Sequence, residues 1–400
     1  MKKLLVLLLV LSLVAVLAAC AGDDPGPATP TPTPGEAAPG QAAPGEAAAP
    51  GATEAPQPPP QGDELPMFGL MIFDFANTHN SYIRQGVLNY AASAGPGGTR
   101  VANVVVTDGQ NDQARQMDQL ATLLARGDLD IILMGMVDPG AAQTALDMVA
   151  AEDLPMFFFN RAPDFDVLQT YDRVWYTGIP WRLPGYIQAE EILRDWVGGY
   201  ADAMDRSGDG ILQYVIVQGN LEQPDAIHRT AANQDRLAEF ERDGLIQVEL
   251  LAIDLGHFNT TRSRELMETW IMRFGDEMEV VLTNSDAMAI GAIEALRADG
   301  FFTPGRNMFV YSINALPDAM PLLLAGELRS TVLTDPWAQA RALVDMSLNV
   351  LSGNPIYLAD PTTGTEWTMC PINKDIRMND EIPIRIDNIQ IAVEAFENCL

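Results

Sequence analysis

Oxygen-bearing residues occupy every second position of the stretch 205–213, which reads D-R-S-G-D-G-I-L-Q. The oxygens belong to Asp205, Ser207, Asp209, the carbonyl of Ile211 and Gln213. Gly210 stands where a calcium loop makes its sharp turn, and a calcium loop begins with such alternating hard oxygen ligands. An EF-hand would close the site with a glutamate at position 216, where this chain has Ile216. The spacing favours Ca²⁺ over the alternative, an Asp/Gly turn without metal.

A second group of side chains could bind a polyol. These residues are polar or aromatic, and each follows an apolar run: Asp74, Asn77, His79, Gln223, Asp225, Arg229, Phe258, Asn284, Ser285, Asp286, Asn314, Thr334 and Asp335. Amides, carboxylates and guanidinium groups bind neighbouring hydroxyls in pairs, and an aromatic face covers C–H surface. Any one of the Asn, Asp or Ser residues could instead cap the helix that follows it. Taken as a set, they favour a sugar pocket.

These residues must be positioned by strands and helices that alternate along the chain. Short apolar runs predict strands at 68–73, 101–106, 131–134, 156–159, 174–176, 212–217, 247–253, 279–282, 308–311 and 331–333. Amphipathic stretches between them predict helices. Continuous apolar strands that alternate with helices indicate parallel sheets covered on both faces. We therefore predict an α/β fold of two doubly wound parallel-sheet domains joined by a hinge, with ligands at the carboxyl ends of the strands.

The N-terminal region predicts export and anchoring. Lys2 and Lys3 precede an apolar run at 4–17, which is typical of a secretory signal within residues 1–20. The sequence L-A-A-C at 17–20 resembles a bacterial lipobox, so we expect Cys20 to carry lipid outside the cytoplasm; the alternative is an ordinary signal peptide. Residues 21–63 are rich in Pro, Ala and Gly and predict a disordered tether. The predicted domains are 64–154 with about 335–370, and 155–334 with about 371–400.

The net charge excludes one class of ligand, and the number of cysteines predicts a disulfide. The formal net charge is −30, which argues against binding nucleic acid. With Cys20 acylated, Cys370 and Cys399 remain, and an even number outside the cell favours a disulfide over two free thiols.

The ordered motifs resemble the periplasmic galactose/glucose-binding proteins, which are type I solute-binding proteins of sugar ABC transporters. The similarity runs from about residue 68 to 335 and rests on Q-N-D-Q at 110–113, V-D-P at 137–139, F-F-N at 158–160, P-D-A at 224–226, L-T-N-S-D-A-M-A at 282–289, N-A-L-P at 314–317 and T-V-L-T-D at 331–335. It implies three hinge crossovers, a small neutral sugar held in the cleft of a monomer, and delivery to ABC permease subunits. It also implies that Glu279 closes the calcium site.

The resemblance assigns sugar contacts to Asn77, His79, Gln223, Asp225, Arg229, Phe258, Ser285, Asn314 and Thr334. Only Asp225 and Arg229 match the family's residues. The family has asparagine where this chain has Gly135, and Ser285 and Thr334 also replace larger residues. We expect these changes to leave room in the pocket and to favour a ligand other than glucose.

Two other functions are compatible with parts of this pattern. A sensing subunit that reports a sugar without transporting it has the same sequence features. An enzyme acting on a glycoside is less favoured, because His79, His228 and His257 are not at metal-ligand spacing and no nucleophile or P-loop motif occurs.

Overall fold

Two parallel sheets, each covered by helices on both faces, make up the described part of the chain. The computed structural model describes residues 64–179, 181–221, 223–354, 356 and 382–399, and the backbone of 367–370 and 375–378. The predicted signal peptide, Cys20 and the predicted tether lie outside these residues. No described helix has the length and apolar character needed to cross a membrane.

The first lobe is built on a seven-stranded sheet of order β11-β12-β5-β4-β3-β1-β2. Its strands are β1 (Met67–Ile72), β2 (Asn103–Asp108), β3 (Ile131–Met134), β4 (Met156–Phe159), β5 (Val174–Gly178), β11 (Trp367–Cys370) and β12 (Asp375–Met378). Its helices are α1 (Thr78–Ser93), α2 (Gln113–Leu124), α3 (Ala142–Ala151), α4 (Phe165–Leu168) and α11 (Pro336–Leu351). All pairings are parallel except that of β11 with β12.

The second lobe is built on a six-stranded sheet of order β13-β10-β9-β8-β6-β7. Its strands are β6 (Ile211–Gln218), β7 (Gln247–Leu255), β8 (Val280–Thr283), β9 (Phe309–Asn314), β10 (Ser330–Leu333) and β13 (Ile382–Ile384), the last antiparallel. Its helices are α5 (Leu183–Asp195), α6 (Ala201–Met204), α7 (Pro224–Arg242), α8 (Thr260–Phe274), α9 (Asp286–Ala298), α10 (Met320–Ala325) and α12 (Ile389–Glu397).

Each sheet separates two apolar clusters, which explains why its strands are apolar at consecutive positions. In β1, for example, Leu70 packs on one face and Met71 on the other, and both side chains are fully buried. In β6, Val215 and Ile216 are divided between the two clusters of the second lobe in the same way. This burial holds the carboxyl ends of the strands, and the loops that follow them, in fixed positions.

The first passage between the lobes lies later than the predicted boundary at residue 154. Strand β4 pairs with β3, with Met156 opposite Ile132, and β5 continues the same sheet. The chain therefore leaves the first sheet only after Gly178. Strand β12, placed by prediction in the second domain, also pairs with β5 of the first sheet. Among the described strands, the other two passages follow β10 and β12, which makes three crossings between the sheets.

The C-terminal helix contacts both lobes. Phe396 belongs to a cluster of the second lobe, and its ring meets the edge of Tyr82 on α1 at a centroid distance of 4.7 Å. Asn89 Nδ2 donates a hydrogen bond to the carbonyl oxygen of Cys399 at 2.9 Å. Cys399 is buried and forms no disulfide with any side chain that the structure describes. The side chain of Cys370 lies outside the described residues, so the pairing of these two cysteines stays a prediction.

Candidate functional site

A cavity of about 400 Å³ lies between the two lobes, at the carboxyl ends of both sheets. The predicted residues that line it are Asp74, Asn77, His79, Gln223, Asp225, Arg229, Phe258, Asn314, Thr334 and Asp335. Further polar lining comes from Asn80, Asn111, Asn160, Arg161, Asn220, His257, Asn259 and Gln339. Because both lobes contribute, a ligand in this cavity would be contacted from two sides.

The start of α7 supplies a carboxylate and a guanidinium from the second lobe. Pro224 occupies the first turn of the helix, where its missing N–H costs nothing. Asp225 and Arg229 follow at i and i+4, so their side chains meet as an ion pair at 3.3 Å. Arg229 is only 5% exposed, and its Nη1 donates to the carbonyl oxygen of Asn284 at 3.1 Å. Its Nε is buried and has no partner among the described residues.

An aromatic platform follows strand β7. Phe258 has a left-handed backbone, with φ of 53°, and so does His257 before it. A Cβ on Gly219 would come within 2.2 Å of the tip of the Phe258 ring. Gly219 is therefore needed at this close approach, because any side chain there would displace the ring.

His79 is a neutral group on the first-lobe side. Burial, and then the charge of Arg229, lower its pKa to about 4. Its Nδ1 has no partner among the described side chains. Asn77, two residues earlier, caps α1 by accepting from the backbone N–H of Asn80 at 3.1 Å, so its amide oxygen already has a structural role.

Arg161 is a cleft residue that sequence reasoning did not select. Its guanidinium lies 3.7 Å from the centroid of the Phe73 ring, and Nη1 donates to the carbonyl oxygen of Val137 at 2.6 Å. Burial lowers its pKa to about 10. With the Gln223 amide turned so that its oxygen faces the guanidinium, that oxygen accepts from Nη2 at 2.8 Å, across the cleft. In the sequence, the feature of Arg161 that indicates a place in the cleft is its position just after β4.

Asn314 reaches the cavity from an unusual backbone. Its φ is 115°, in a region that favours glycine, and Ala315 after it has φ of 56°. The Asn314 amide donates to Thr334 Oγ1 at 2.9 Å, which joins two of the predicted contact residues. The turn therefore presents the amide of Asn314 beside the hydroxyl of Thr334.

Two of the three positions expected to leave room do not enlarge the cavity. A Cβ on Gly135 would lie 3.2 Å from two carbons of the Phe159 ring, so an aromatic side chain of β4 already fills that space. Ser285 does not line the cavity. Its side chain is buried at the start of α9, and its Oγ has no partner among the described residues. The third position, Thr334, does line it.

Comparison with known proteins identifies the family. The model of the periplasmic binding protein domain matches residues 68–355, which is most of the chain. The chain belongs to the periplasmic binding protein family. It is 30% identical over 302 residues to the D-galactose/methyl-galactoside binding periplasmic protein of Haemophilus influenzae, and this alignment covers 75% of this chain and 85% of that protein.

Other members of the periplasmic binding protein family extend this similarity. A putative rhizopine-binding protein of Rhizobium meliloti is 27% identical over 292 residues, covering 72% of this chain and 85% of that protein. A solute-binding protein of Actinobacillus succinogenes, solved with bound D-allose, superposes with a TM-score of 0.66 at 15% identity over 82% of this chain and 99% of that one. The predicted type I fold with two parallel-sheet domains is confirmed.

In this periplasmic binding protein the predicted calcium loop precedes and opens β6. Gly208 and Gly210 have φ of 71° and 82°, as a sharp turn requires. Asp205 accepts from the N–H of Gly208 at 2.7 Å and of Gly210 at 2.9 Å. Glu279 reaches the same loop, where it accepts from the N–H of Ser207 at 3.1 Å. The structure thus brings Glu279 to the loop, as the resemblance implies.

The donor set of this loop fits a hard cation. Gln213 Oε1 is buried without a partner among the described residues, while its Nε2 donates to Asp209 at 3.0 Å. Burial also raises the pKa of Glu279. No three described His, Cys, Asp or Glu side chains are grouped closely enough to hold a metal by themselves. Ca²⁺ would therefore also need the neutral oxygens of Ser207, Ile211 and Gln213.

Proposed function

We propose that this protein binds a small neutral carbohydrate between its lobes and delivers it to an ABC permease. The observation that carries the proposal is the cavity between the sheets, where the Asp225–Arg229 pair and the Phe258 ring line one wall. A carboxylate and a guanidinium bind adjacent hydroxyls, and the ring covers an apolar sugar face. Binding without catalysis is the activity we infer.

The charges of the cavity favour a neutral ligand over a sugar acid. Asp74, Asp225 and Asp335 contribute carboxylates, and the guanidiniums of Arg161 and Arg229 are the cations. Arg229 is already paired with Asp225, and His79 is neutral at physiological pH because of its lowered pKa. The described lining therefore has no excess of positive charge for an anion, while it has many groups that bind hydroxyls.

Relatives with carbohydrate ligands support the same class of ligand for this protein. One is described as binding D-galactose and methyl-galactosides, and a structural neighbour was solved with D-allose. We propose a preferred sugar other than glucose, because only Asp225 and Arg229 retain the residue types that the galactose/glucose-binding resemblance assigns to its contacts. The reason is altered chemistry more than added space, since Phe159 fills the space beside Gly135.

Two further proposals complete the function. We propose that Cys20 is acylated and anchors the protein to a membrane outside the cytoplasm, at the cell surface or in the periplasm. We also propose that the 205–213 loop binds structural Ca²⁺ together with Glu279. Support for the first is the L-A-A-C sequence, and support for the second is the donor set.

A ligand screen tests whether the ligand is a neutral carbohydrate. The melting temperature of the protein lacking residues 1–63 is measured with neutral monosaccharides, disaccharides and polyols, and with uronic acids as the charged comparison. A ligand that binds only the folded state raises the melting temperature with its concentration. We expect at least one neutral compound to do so and the uronic acids to have no effect. A rise with uronic acids alone would contradict the proposal.

A further inference from the structure

A buried carboxylate lies directly behind the turn that presents Asn314. Asp286, at the start of α9, is fully buried and does not line the cavity. It accepts hydrogen bonds from the N–H of Leu316 at 2.6 Å, from Thr331 Oγ1 at 2.7 Å, and from Ser312 Oγ. Its three donors thus come from β9, from β10 and from the segment after β9.

Two of these bonds hold the backbone just after Asn314. The N–H of Ala315 donates to Thr331 Oγ1 at 3.1 Å, and that hydroxyl in turn donates to Asp286. The N–H of Leu316 donates to Asp286 directly. Consecutive N–H groups therefore converge on one carboxylate, the first through a hydroxyl and the second without an intermediary.

The turn needs such support because its backbone is unfavourable. Asn314 and Ala315 have φ of 115° and 56°, and a side chain disfavours both conformations. Conformations of this kind persist only where surrounding groups fix them, and they cluster at functional sites.

A carboxylate is also energetically unfavourable at a buried core position. Burial raises its pKa to about 7 even though the three hydrogen bonds act in the opposite direction. No ion pair to Asp286 occurs among the described residues. An apolar side chain would avoid this cost, so the carboxylate must provide something that packing cannot.

We propose that Asp286 is a positioning residue, which holds the Asn314–Ala315 turn so that the Asn314 amide faces the ligand. The inference rests on the proposed carbohydrate site for its effect on affinity, but the turn itself can be tested without a ligand. Asp286 would act through Asn314 and not by touching the sugar.

The ligand-free test is a double-mutant cycle of melting temperature. Asp286→Asn keeps the size of the side chain but replaces one acceptor oxygen with a donor. We expect it to lower the melting temperature clearly in the natural background and much less in Asn314→Gly/Ala315→Gly, where glycine adopts the turn without help. An equal loss in both backgrounds would overturn the proposal. Should Asp286→Asn fail to fold, Thr331→Val, which removes only the bridging hydroxyl, takes its place in the same cycle.

The second test uses the sugar found by the screen. Asp286→Asn should weaken its binding by roughly tenfold, and the same change in an Asn314→Ala background should have less than about a twofold effect. Equal fold-changes in the two backgrounds would show that Asp286 acts independently of Asn314. If no sugar binds, the proposed function fails, while the melting-temperature cycle still decides whether Asp286 holds the turn.

Discussion

At the scale of single residues, a partly buried histidine of the cleft links the site to stability. His79 ionises less readily in the folded protein than in the unfolded chain, because burial lowers its pKa from 6.5 to about 4. As the pH falls from 6.5 to 4, the unfolded chain gains a proton that the folded protein does not bind. The free energy of unfolding should therefore decrease over this window, by about 3 kcal/mol in total.

A His79→Phe variant isolates this contribution, since phenylalanine does not titrate. We expect the wild-type free energy of unfolding, measured by urea denaturation, to decline more steeply than that of the variant between pH 6.5 and 4. His257→Phe changes an exposed ring near the same cleft and serves as the matched control. Parallel pH dependences for wild type and His79→Phe would show that the pKa of His79 is not lowered in the folded protein.

Residue types and their positions after strands predict many of the cleft residues, but they do not predict which way each side chain points. Asp225 and Arg229 were predictable because they lie one helical turn apart just after a strand. Ser285 also follows a strand, yet its hydroxyl is buried away from the cavity. Arg161 was missed because an arginine after a strand usually lies at the surface. No pattern in the sequence indicates that Phe159 fills the space beside Gly135.

At the scale of elements, strands and helices were easier to predict than their partners. The apolar runs of β3, β4 and β5 look alike, and nothing in their periodicity shows which sheet each strand joins. The structure pairs all three in the first lobe, so the first passage follows Gly178. Boundaries also moved slightly, as for β2, which spans Asn103–Asp108 where a strand at 101–106 was predicted. Pairing depends on long-range contacts that a local pattern does not contain.

The loop that opens β6 provides the prediction at this scale. If Ca²⁺ binds there, it stabilises only the folded state, so EDTA should lower the melting temperature and excess CaCl₂ should restore it. Asp209→Ala removes one proposed ligand and should abolish the difference between the two conditions. Asp276→Ala, on the nearby segment but outside the proposed ligand set, is the control that should keep it. Identical melting of the wild type in EDTA and in calcium would rule out a stabilising ion.

At the scale of the whole molecule, the proposed anchor predicts where the protein is found. Cys20→Ser removes the thiol that would carry lipid but leaves the apolar run at 4–17 unchanged. In this proposal the acyl chains on Cys20 are what anchors the protein, so loss of the lipid should release it. Fractionation of expressing cells should show the natural protein with membranes and the variant in the soluble extracytoplasmic fraction. A variant that still sediments with membranes would contradict the anchor.

The arrangement of two lobes around one cavity also implies motion. Binding proteins of this architecture close by hinge rotation, and three chain passages join the lobes here. Arg161 and Gln223 belong to different lobes and meet across the cleft once the Gln223 amide is turned. A ligand held from both sides would favour that arrangement through its contacts with each lobe.

The most direct measurement is the affinity, by titration calorimetry, of the sugar found in the screen for the natural protein and for Asp225→Ala and Arg229→Ala. Each variant removes a proposed hydroxyl-binding group and should cost at least about 1 kcal/mol of binding free energy. The matched control is Arg264→Ala, since Arg264 and Glu268 form an i, i+4 pair at 3.0 Å on α8 outside the cavity. We predict weakened binding in both cleft variants and unchanged binding in the control. Unaltered affinity in Asp225→Ala and Arg229→Ala would contradict the proposed site.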